Sequence, residues 1–179
     1  MLALRTARKC LTPVTPASPP VWPLPSLEGR TPALVATHPK APGLELAYEN
    51  DDGAEPFVPK RVPAFAVRDG EIMHAGGSAG RYSIVIDHLN GWATYYSNLK
   101  HLFATPTDRR PRRPAYVRAG DVLGYVGASG LHFQLWKLED DGHFVPVDPT
   151  SEMTSWLVLP WSDERRTPPA SAIHQPLAA

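Results

Sequence analysis

Residues 68–138 break into short apolar runs, each closed by a pair or trio of turn residues. The turns are Asp69-Gly70, Asn90-Gly91, Ala119-Gly120-Asp121 and Ser129-Gly130. Runs of roughly four to eight residues separated by such turns are the sequence mark of an antiparallel β protein. Residues 82–87 and 92–96 are rich in β-branched and aromatic side chains, which suit a pleated, half-buried surface. The four residues between them, His88-Leu89-Asn90-Gly91, make a natural hairpin connection. The flanking chain extends the same pattern. Residues 31–37 and 43–48 read as further strands, 49–59 as an acidic surface loop, and 62–67 as a buried strand. Residues 131–138 and 143–147 flank the turn Glu139-Asp140-Asp141-Gly142, and the apolar stretch 150–161 reads as a short helix or strap.

Composition sets the outer limits. The 179 residues suit one domain with tails, and 42% hydrophobic content is enough for a β core. Eighteen basic residues balance eighteen acidic ones, so bulk charge gives no support to specific nucleic-acid binding. The 21 prolines crowd into the ends and loops. The expected organisation is a proline-rich tail over 1–20, disordered or draped, a β domain over 21–161, and a tail over 162–179. Cys10 is the only cysteine, so no intrachain disulfide forms and the thiol reads as idle. Residues 1–11 lack the apolar stretch of a signal peptide, and no run has the length of a membrane span.

The order of the blocks resembles the core of the lysostaphin-like (LytM-domain, duplicated-hybrid-motif) zinc peptidases, which cut peptide cross-links in bacterial cell walls. The matching blocks are Asp69-Gly70-Glu71-Ile72, residues 80–91, 94–99 and 117–130, and Leu131-His132-Phe133-Gln134. The likeness spans about seventy residues. It implies a mostly antiparallel β-sheet domain and a cell-envelope or extracellular setting. It also implies a partner that is either peptidoglycan peptide or another envelope or wall-hydrolase protein.

The resemblance further implies a zinc site. A catalytic zinc needs three protein ligands and an open position for water, and it lowers the pKa of that water for attack. The family takes two ligands from a His-x-x-x-Asp motif and the third from the second histidine of His-x-His. Laid on this chain, Gly43 matches the glycine inside the first motif. The histidine position then falls on Ala41 and the aspartate position on Glu45. His132 matches the ligand histidine of the second motif, and the assisting histidine two residues earlier is Gly130. In Tyr96-Ser97-Asn98-Leu99, the other assisting histidine is Asn98. Asparagine can donate a hydrogen bond to an oxyanion but cannot shuttle protons as imidazole does.

Three readings follow. The one adopted is a catalytically degenerate domain with no cofactor, which binds cell wall, regulates a hydrolase or serves as a structural envelope part. The alternative is an active zinc metalloendopeptidase whose Zn2+ sits on a rearranged set of His38, Glu45 and His132. The third is a binding module. Arg109, Arg110, Arg112 and Arg113 fall within the insertion 105–114, where Pro111 and Pro114 deny regular pairing, and such a loop suits an anionic partner. Among the aromatics, Tyr95 and Tyr96 are adjacent on one strand and must point to opposite faces. One of the two is therefore a groove residue, and both enter the candidate binding set.

Overall fold

The computed structural model describes residues 18–37, 43–78, 81–103 and 115–162. Cys10, His38, Ala41, the Arg/Pro insertion and both outer tails fall outside them. The described strands are, in chain order, β1 (Ala33–Thr37), β2 (Leu44–Ala47), β3 (Pro63–Phe65), β4 (Gly70–Ser78), β5 (Arg81–Asp87) and β6 (Trp92–Leu102). Then come β7 (Tyr116–Val117), β8 (Val122–Val126), β9 (Leu131–Leu138), β10 (Phe144–Val147) and one helical turn, α1 (Thr150–Met153). The ladders between these strands are antiparallel. The main path across the sheet is β1-β2-β9-β6-β5-β4-β7, with β10 beside β9 and with β3 and β8 off β6. Among the described residues no helix is long and apolar enough to cross a membrane.

The expected antiparallel β domain is thus what the chain forms. The strand read at 92–96 runs on to Leu102 and changes partner on the way. Its first part, Trp92 to Ser97, pairs with β9, and Leu99 to Leu102 pair with β8. Asn98 sits at the change, with φ at +64°. Asparagine tolerates this left-handed conformation far better than a β-branched residue would. The resulting bulge lets one strand serve two ladders.

The pleat sorts the side chains. In β9, Leu131, Phe133 and Leu135 are buried, while His132, Gln134 and Trp136 face outward. The inward set meets Leu44, Leu46, Ile84, Ile86, Tyr96 and Leu123 in one core cluster. Tyr96 and Phe133 pack edge to face, 5.4 Å between centroids. The strap 154–161 closes the core together with the N-terminal entry. Trp22 N–H donates to Leu157 O at 2.8 Å, Ser26 N–H donates to Leu159 O at 2.8 Å, and Trp161 N–H donates back to Ser26 O at 2.9 Å.

One polar network lies inside this core. His88 Nδ1 is 2.8 Å from the Asp69 carbonyl, and Nε2 is 2.9 Å from Thr94 Oγ1. A carbonyl only accepts, so Nδ1 carries the proton and Nε2 accepts from the threonine hydroxyl. The Thr94 and Tyr96 hydroxyls are 3.2 Å apart, and Val67 N–H donates to the tyrosine oxygen at 3.0 Å. Each polar group of this network therefore has a partner, which is the condition for placing it there. Burial pushes the His88 imidazole down to about 4 and raises the Tyr96 phenol.

Candidate functional site

Four adjacent strands build the open face. In the β2–β9 ladder Glu45 stands opposite His132, and in the β9–β6 ladder His132 stands opposite Ser97. Beyond Ser97, the β6–β5 ladder skips Ser83, because the register shifts between Tyr82 and Ile84. The outward row across the sheet is therefore Glu45, His132, Ser97 and Ser83. Gln134 and Trp136 continue the same face along β9, and Tyr95 does so along β6.

A hydrogen-bond chain runs along this face with its direction fixed by chemistry. The Trp136 indole N–H only donates, and it donates to Gln134 Oε1 at 2.8 Å. The amide nitrogen of Gln134 consequently faces His132 Nε2, at 3.0 Å. That nitrogen must accept, so the ring proton sits on Nδ1, where it is donated to Glu45 Oε1 at 2.7 Å. The side chains of His132 and Glu45 are only 15% and 27% exposed, so this pair is partly shielded from water. Its floor is tight as well. A Cβ on Gly43 would lie 2.7 Å from His132 Cε1 and 2.9 Å from Gln134 Cγ, so only glycine admits the ring there.

Asn98 and Gly130, the two residues that the sequence resemblance set against the family's assisting histidines, are joined directly. The Asn98 amide donates to Gly130 O at 2.5 Å and to Ser129 Oγ at 2.8 Å. The Asn98 carbonyl accepts from Gly127 N–H at 2.7 Å. These bonds fasten the 127–130 turn to β6. The expectation that Asn98 offers its amide to an oxyanion is corrected here, because the turn takes both of its donors.

The aromatic pair resolves as the pleat demands. Tyr95 faces outward, nearly parallel to Trp136 (19°, centroids 6.3 Å apart) and edge-on to His132 at 6.1 Å. Tyr96 is wholly buried, so its placement in the binding set is corrected: it is a core residue whose hydroxyl serves the His88 network. Phe133 is likewise core.

Do these residues fit a zinc ion? Glu45 and His132 are neighbours, and two donors of that kind are chemically suitable. Yet the Nδ1 proton of His132 points at Glu45, and its Nε2 lone pair is directed at the Gln134 amide. No group of three His, Cys, Asp or Glu side chains converges among the described residues. The described residues do not fit a three-ligand zinc site. His38, the third ligand of the rearranged set, and Arg109, Arg110, Arg112 and Arg113 lie outside the described residues. Gln134 and Trp136 escaped the site list drawn from sequence. Stepping by two from His132 along β9 reaches both, and that period was the available signal.

Residues 49–149 match the model of peptidase family M23, a span that takes in His132 but starts after Glu45. No curated protein matches the chain. Among solved structures, a protein described as a peptidase M23 from Pseudomonas aeruginosa is 21% identical with a TM-score of 0.51, over 81% of this chain and 55% of that one. A protein described as a glycyl-glycine endopeptidase LytM from Ruminococcus gnavus is 17% identical with a TM-score of 0.51, over 80% of this chain and 64% of that one. At such identities the likeness speaks for the fold. The chain spans between half and two thirds of the length of these two proteins. The family match covers more than half of the sequence, so the chain belongs to peptidase family M23.

Proposed function

We propose that this chain is a non-hydrolytic M23 domain that holds cell-wall peptide on its open face, either to position a separate hydrolase or as a structural part of the envelope. The observation that carries the reading is the Trp136–Gln134–His132–Glu45 chain, which engages both ring nitrogens of the one histidine matching a family ligand. A metal there would have to displace the Gln134 amide or the Glu45 contact before it could bind. The bonds from Asn98 to Ser129 and Gly130 support the same reading, since neither family position carries a group for moving protons. Meanwhile the half-buried Tyr95 and Trp136 rings give an apolar shelf on which a peptide chain or sugar ring can lie.

The test is metal content and turnover on the same preparation. Protein purified without chelator should carry zinc well below one equivalent, leave peptidoglycan uncut, and co-sediment with it. About one zinc per chain, lost in His132→Ala, together with cleavage of peptide cross-links, would replace this reading with the active endopeptidase built on His38, Glu45 and His132.

A further inference from the structure

Beyond His132, at the far end of the outward row, lies a cleft of about 440 Å³ between β5, β6 and the 127–130 turn. Among the described residues its lining contains Arg81, Tyr82, Ser83, Tyr95, Ser97 and Ser129, and no carboxylate. Arg81 and Ser83 alternate with buried Ile84 and Ile86 along β5, so the pleat turns them toward the same face as Tyr95 and Ser97. Arg81 has no ion-pair partner among the described residues, where the two pairs are Arg30 with Asp51 and His132 with Glu45. The hydroxyls of Tyr82, Ser83, Tyr95 and Ser97 likewise have no hydrogen-bond partner among the described residues, and Ser129 Oγ accepts from Asn98, which leaves its own proton to donate. Among the described residues, one guanidinium and several hydroxyl donors thus surround a cleft with no acceptor of matching charge. A guanidinium presents a fork that fits a carboxylate's two oxygens.

We infer that this cleft takes a free carboxylate, the C-terminal group of a short peptide laid across the sheet. The inference rests on the peptide-binding reading above and adds the end at which the peptide is held. A single fixed positive charge matches a monoanion better than a phosphate. The geometry also sets a length. Glu45 and Ser83 are three strand spacings apart, about 14 Å, the reach of roughly four extended residues. A peptide whose carboxylate meets Arg81 would therefore run past His132 and end near Glu45.

The experiment is calorimetric titration of the full chain with Nα-acetyl-L-lysyl-D-alanyl-D-alanine, as the free acid and as the C-terminal amide, with inorganic phosphate as competitor. The free acid should bind about tenfold or more tightly than the amide. Arg81→Gln should bring the acid down to the amide's affinity without changing the amide's. Arg81→Lys should fall between, since it keeps charge and loses the fork. Arg81 is exposed, so both variants should melt like the parent. Equal binding of acid and amide would overturn the carboxylate cleft and leave the peptide reading standing. Binding of neither would overturn both. Phosphate displacing the acid at concentrations below the acid's own Kd would assign the cleft to phosphate instead.

Discussion

His88 and His132 make the instructive comparison. Both rings sit where antiparallel strands bring polar partners to either side, and both use Nδ1 as donor and Nε2 as acceptor. His88 lies under the sheet, 5% exposed, between a carbonyl and a threonine hydroxyl, and burial holds it neutral down to about pH 4. His132 lies on the open face, between a carboxylate and an amide, with the Tyr95 ring edge-on to it. The same side chain is a structural strut on one face and a candidate recognition group on the other. What differs is the side of the pleat, and with it the charge and wetness of the partners.

The sharpest way to break that contrast is along β9, where the two faces alternate. Phe133→Ala should cost about 3–5 kcal/mol in urea unfolding, because a wholly buried ring leaves a cavity. A loss below about 1 kcal/mol there would mean that the inward row does not carry the core. The His88 network predicts a pH dependence of nearly that size. Its folded pKa is depressed, from 6.5 to about 4, so the unfolded chain takes up a proton first as pH falls. The neutral ring's contribution is complete above pH 6.5 and is lost between 6.5 and about 4, by about 3 kcal/mol in all. His88→Gln should remove that ramp from the unfolding midpoint; a ramp of the same height in the variant would assign it elsewhere.

Next in size is Tyr96→Phe, which takes the partner from the buried Val67 N–H and should cost about 1–3 kcal/mol. A neutral result would show that the hydroxyl network is dispensable. Smallest in stability is Gln134→Ala, on the half-exposed face, at below about 1 kcal/mol. Its interest is chemical. It releases His132 Nε2, so zinc affinity measured by competition with a chelating dye should rise above the parent's. Unchanged affinity would show that the amide is not what restrains the ring.

Much of the fold was legible because strand periodicity and turn chemistry are local. Asn90-Gly91 and the 139–142 turn place their hairpins, and β9 begins and ends where residues 131–138 were read. The extension of β6 to Leu102 was not legible. It depends on Asn98 adopting a left-handed conformation that lets a second ladder form with β8, and that is a tertiary event. The choice between Tyr95 and Tyr96 was half legible: sequence says they oppose, but only the packed sheet says which is inside. Arg81 was overlooked for a similar reason. A lone arginine beside a tyrosine carries no signal until two strands and a turn gather hydroxyls around it.

By itself, then, the sequence determined the β class, the turn positions and the family, since these are matters of residue type and spacing along one chain. The tertiary structure alone decided that Glu45 meets His132 and that Asn98 serves the turn. Each joins groups on different strands or reverses an expectation from type alone. The physical reason is that hydrogen-bond direction follows from which donors are brought together, and strand register does the bringing.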